Sequence, residues 1–169
     1  MDCFVALLLA MTEAWRNFSM RGFIRRLATV ALVTMAFASA GFAEGKPHRI
    51  AIQVDQNDPL VMNQALNNAT NVIEYYRARN EDVDIDIVTY GPGLHMLRAD
   101  TSPVQDRVKR LKDMVFPGKI QFSACNITKE RMEKTEGHAI SVLPEATIVP
   151  SGVVRLMELQ EQGWSYIRP

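Results

Sequence analysis

Cysteine is scarce in this chain. Only Cys3 and Cys125 occur in 169 residues, which excludes a disulfide-stapled scaffold and leaves the fold dependent on a hydrophobic core. An excess of charge is missing as well. The 19 basic and 19 acidic residues cancel, so no net field draws the protein to nucleic acid or to an anionic membrane. The one dense basic run, Arg107, Lys109, Arg110 and Lys112, interleaves with Val108 and Leu111 at helical spacing and reads as a solvated helix face. Histidine is limited to His48, His95 and His138, in separate segments without metal-ligand spacing. With no paired-cysteine or two-histidine helix signature either, no metal site is expected. A glycine-rich phosphate loop, a dinucleotide fingerprint and a nucleophile-elbow serine are also lacking, so conventional hydrolase or dehydrogenase chemistry has no residues to run on and no cofactor is expected.

Near the start, Met20-Arg21-Gly22-Phe23-Ile24-Arg25-Arg26 followed by Leu27 to Ala43 has a basic opening, an uncharged apolar stretch and a small-residue exit. That is the layout of a secretory signal peptide. Ala40 and Ala43 both fit the residue before cleavage, and Ala43 is the favoured one. An uncleaved anchor is the alternative, but the apolar stretch is shorter than the roughly 20 residues of a spanning helix. A signal normally opens with its basic region, so Met20 is the expected translation start and residues 1–19 the expected untranslated part. The expectation is a signal peptide within 1–43, a domain over 44–169, and a periplasmic protein with no membrane contact after cleavage. Removing residues 1–43 takes away Arg16, Arg21, Arg25 and Arg26 against Asp2 and Glu13, so the domain stays close to neutral. It is one core's worth of sequence.

Within it, "RIAIQV" from Arg49 predicts a strand. Asn57-Asp58-Pro59 then caps a long helix with Met62, Leu66, Ala69, Ile73 and Tyr76 on its inner side, ending near Asn80. "VDIDIVTYG", Val83 to Gly91, alternates apolar and acidic residues and predicts a strand with a partly wet face, hence an outer place in the sheet. Ser102-Pro103 opens a second helix with Val104, Val108, Leu111 and Val115 inward, stopped by Pro117-Gly118. "KIQFSAC" is a third strand, followed by a weaker helix from Thr128 to Glu136 and its stop, Gly137. After a connection over 138–145, Ala146 to Val149 forms a short strand. Pro150-Ser151-Gly152 then opens a last helix with Val153, Leu156, Met157 and Gln160 on one side, and "WSYIR" closes the sheet. The pattern predicts an α/β domain of three layers, α/β/α, around a mainly parallel five-stranded sheet.

Ligands and reactive groups gather where the strands of such a sheet end, which singles out "TYGPGLH", "SACNIT" and "VPSGV". Cys125 stands at the second of these junctions, just ahead of a helix. The partial positive charge of unpaired N–H groups there favours thiolate, the form that attacks a disulfide or a sulfane sulfur. Two plain readings compete: a small apolar residue ending a buried strand, and an inter-chain disulfide or redox-sensing thiol. Gly91 and Gly93 either present N–H groups to a ligand or make a tight turn, and Ser151-Gly152 is either an anion seat or a cap.

The segments "YGPGLHML", "FSACNITKERM" and "VPSGVVRLMELQEQGWSYIRP" together resemble the DsrE/DsrF-like family of small sulfur-relay proteins, in particular its exported members, over about His48 to Pro169. "CNIT" looks like the family's cysteine-asparagine-threonine neighbourhood with Ile127 inserted, which brings Asn126 and Thr128 into the candidate site. The resemblance implies a flavodoxin-like variant of the three-layer fold and assembly into trimers or hexamers. It also implies sulfur carried as a persulfide on Cys125, between donor and acceptor proteins. A non-catalytic oligomeric binding or assembly module with a structural cysteine is the alternative.

Overall fold

The computed structural model describes residues 48–114 and 118–169, all within the unit Gly45–Pro169. The expected signal peptide, Cys3, Val115 and Pro117 lie outside the described residues.

Strand β1 (His48–Val54) leads to helix α1 (Pro59–Arg77). Asp58 caps the helix by accepting the Leu60 N–H at 2.8 Å, and Pro59 takes the first helical position, where no amide donor is needed. Its buried stripe of Met62, Ala65, Leu66, Ala69 and Ile73 adds Ala65 to the predicted one and leaves Tyr76 only partly buried. Strand β2 (Val83–Thr89) passes into a 3₁₀ helix over Gly91–Leu97. Helix α2 (Gln105–Asp113) begins later than Ser102-Pro103 and buries Val108 and Leu111. Strand β3 (Ile120–Cys125) runs directly into α3 (Asn126–Glu136), which Gly137 ends in the left-handed conformation at φ 76°. Strand β4 (Ala146–Val149), α4 (Gly152–Glu161) and β5 (Ser165–Ile167) complete the chain.

Every strand pair is parallel, and the order is β4-β3-β2-β1-β5. This differs from the 2-1-3-4-5 order of flavodoxin itself and is a variant of the same α/β plan. The two faces of the sheet are covered unequally. On one face Ile52, Val54, Ile85, Ile87 and Phe122 pack with α1 and α2 residues in the main core. On the other, among the described residues, Ala51 and Val88 cluster with Leu156 and Leu159 of α4, with Trp164 and Tyr90 leaning on them.

Two expectations are corrected. β2 is the central strand, not an outer one. Asp86, which suggested a wet face, is 0% exposed and satisfied internally: Ser123 Oγ donates to it at 2.7 Å and Arg155 of α4 reaches it at 2.8 Å. Asp84 instead accepts the Lys119 N–H at 2.9 Å. The second concerns α4, whose buried residues are Gly152, Leu156 and Leu159, while Val153 and Met157 are exposed. Arg155 has to point at Asp86, and that requirement rotates the helix away from the side its apolar residues suggest.

Candidate functional site

The site forms where β2, β3 and β4 end together. Parallel register sets Thr89 beside Ala124 and Cys125 beside Val149. The segments after β2, β3 and β4 therefore all start from one edge of the sheet. Cys125 is the last residue of β3 and also the N-cap residue of α3, with extended backbone at φ −68°, ψ 116°. No capping hydrogen bond of standard geometry runs from its side chain to α3, so the first amides of the helix act on the sulfur as nearby partial positive charge. It is a free cysteine and only 4% exposed.

Burial pushes the Cys125 thiol up, but the Thr128 side chain and the N–H groups of Gly152, Thr128 and Ile127 outweigh it, so the pKa falls below the usual thiol value. The Gly152 and Thr128 amides thus act on the sulfur from two helix starts, while the Ile127 N–H beside it also donates to the Pro150 carbonyl at 3.4 Å. The Thr128 hydroxyl accepts the Gly91 N–H at 2.9 Å, which leaves its own proton free for the sulfur. Gly91 makes this approach with φ at 52°, a conformation glycine adopts without a Cβ penalty. Gly152 is confined from the other side. A Cβ there would stand 2.9 Å from Tyr90 Cβ and 3.3 Å from Cys125 Cβ, so only glycine lets α4 bring its N–H to the thiol.

Of the residues singled out in sequence, Cys125, Thr128, Gly152 and Gly91 come together. Three have other duties. The Asn126 amide turns along its own helix and donates to Glu130 at 2.7 Å. Ser151 caps α4 by accepting the Val154 N–H. Gly93 is pressed against the Val54 carbonyl, where a Cβ has no room. Tyr90 was missed: it packs on Gly152, and its phenol is held up by burial and by Asp55 and Tyr166 nearby. The Gly152 amide was anticipated in the Ser151-Gly152 anion seat, whereas the Ile127 amide was not, because a backbone donor has no residue type. Among the described residues no group of three or more His, Cys, Asp or Glu side chains is placed to hold a metal ion. No described helix is long and apolar enough to cross a membrane.

A parallel α/β domain with a helix-capped thiol at a strand end is the class these features define. The DsrE/DsrF-like family model matches residues 51–169, and the chain belongs to that family. Among solved structures it is similar to a protein of unknown function from Methanobacterium thermoautotrophicum, with 28% identity and a TM-score of 0.59, covering 72% of this chain and 99% of that one. No curated protein matches the chain.

Proposed function

We propose that this is an exported sulfur-handling protein whose Cys125 takes up sulfane sulfur as a persulfide and passes it to a partner thiol. Membership of a family associated with sulfur relay supports the general role. One observation carries the finer reading: a thiol with no cysteine partner among the described residues, lowered in pKa by the Thr128 hydroxyl and three backbone N–H groups. A structural cysteine needs no such donors.

The Cys125 thiolate attacks the outer sulfur of a donor persulfide. One S–S bond forms, the donor's S–S bond breaks, and the donor leaves as a thiolate. A second thiolate then attacks the outer sulfur on Cys125, taking that atom and returning Cys125 to thiolate. Neither step needs an external oxidant or reductant. The same N–H groups suit the terminal anion of the bound persulfide. Export rests on the signal-like stretch Met20 to Ala43, and a periplasmic location follows from it. Assembly into trimers or hexamers is part of the reading, with exposed Val153, Val154, Met157 and Ile148 as apolar surface for it.

The experiment is Cys125→Ser in an assay passing sulfur from a sulfane donor to an acceptor thiol. Transfer is lost while assembly persists. The 4% exposure of Cys125 favours a second reading, a non-catalytic assembly module with a structural cysteine. Under that reading the serine variant behaves as the parent.

A further inference from the structure

Cys125 is only 4% exposed, so a donor molecule gains ready access to its sulfur when one of the surrounding walls moves. The walls are the first turns of α3 and α4, and they are held differently. α4 is seated by buried Leu156 and Leu159, and by Arg155, whose Nε and guanidinium nitrogen reach Asp86 at 2.9 and 2.8 Å. α3 has no buried residue at all, and Met132, partly buried, is its apolar contact with the core.

Polar contacts hold α3 instead. Near its start, Thr128 accepts the Gly91 N–H. Farther along, Glu133 accepts the Ile140 N–H at 2.8 Å. At the last turn, Glu136 receives both terminal nitrogens of Arg98, at 2.6 and 2.8 Å. Arg98, at the end of the 3₁₀ helix, is 1% exposed and also forks onto Asp100 at 2.9 and 2.6 Å. It therefore keeps a carboxylate partner when Glu136 leaves, and no buried charge is orphaned by the opening.

Resting on the sulfur-carrier reading, we infer that α3 is the gate to Cys125 and that the Arg98–Glu136 pair is its latch. Closed, the helix shields the sulfur from water and chance thiols and supplies the Ile127 and Thr128 donors. Displaced, it opens the thiol to donor or acceptor. An element with no buried residue of its own, fastened by a few polar contacts, has little core burial to resist displacement, and moving parts are drawn from such elements.

Glu136→Ala and the conservative Glu136→Gln test this by two rates: iodoacetamide alkylation of Cys125 and hydrogen exchange of the α3 amides. In Glu136→Ala both rates rise together, by roughly tenfold or more, as expected for losing hydrogen bonds to a charged group. Glu136→Gln gives a smaller rise. Asp113→Ala, which breaks the exposed Lys109–Asp113 pair on α2, changes neither. Faster exchange with unchanged alkylation overturns the gate, and unchanged exchange overturns the latch. Alkylation uses no sulfane donor, so the gate can stand in a protein that takes up no sulfur, and the two ideas fail separately.

Discussion

At Cys125 two effects oppose each other, and the donors win over burial. Thr128→Val removes the hydroxyl and leaves the Gly91 N–H without its acceptor. The thiol pKa is expected to rise, and alkylation near neutral pH to slow several-fold as the thiolate fraction falls; a pH profile of the alkylation rate measures it. The buried pair behind the site is unequal in the same way. Arg155→Ala leaves Asp86, 0% exposed, without its counter-charge and is expected to cost about 3 kcal/mol in urea unfolding. Asp86→Asn costs less, because burial already raises the Asp86 pKa and the neutral amide escapes that penalty. Cys125 was legible in the sequence because its chemistry is in its side chain and its junction position, whereas Thr128 was reached only through the family resemblance. The Asn126 amide donates along its own helix to Glu130, four residues on, a pairing set by helical geometry.

At the scale of elements, caps and punctuation were informative. Asp58-Pro59, Gly137 and the Pro150-Ser151-Gly152 start mark helix ends because they act locally. Strand position was not legible. The acidic alternation in "VDIDIV" is the same whether a carboxylate meets water or, as Asp86 does, a serine and an arginine 37 and 69 residues away. The face of α4 was legible only at Leu156, since Arg155 answers to a distant partner. Gly152 tests the junction between α4 and the thiol. Gly152→Ala drives a methyl to 2.9 Å from Tyr90 Cβ, so it is expected to cost about 1–3 kcal/mol and to raise the thiol pKa by withdrawing an N–H. Thermal unfolding and thiol titration read the two effects separately.

Across the whole molecule, acid stability follows the fastening of the 3₁₀ helix and α3. Hydrogen bonds from Arg98 hold Asp100 down to about 2 and Glu136 below its usual value, and Lys129 does the same for Glu133. Each contributes stability that is present above its unfolded pKa and is lost as pH falls through the lower folded one. The Asp100 share therefore disappears between about pH 4 and 2, and Asp100→Asn is expected to flatten the acid limb of an unfolding curve there. Assembly is tested at this scale too. Met157, 54% exposed on α4, is expected to lie in a subunit contact, and Met157→Glu to shift light-scattering mass from oligomer towards monomer; an unchanged mass argues against that face. The most direct measurement is intact mass after incubation with a sulfane donor. The account predicts one added sulfur, about 32 Da, on the parent protein and none on Cys125→Ser. No adduct on the parent, or an equal adduct on the serine variant, contradicts it.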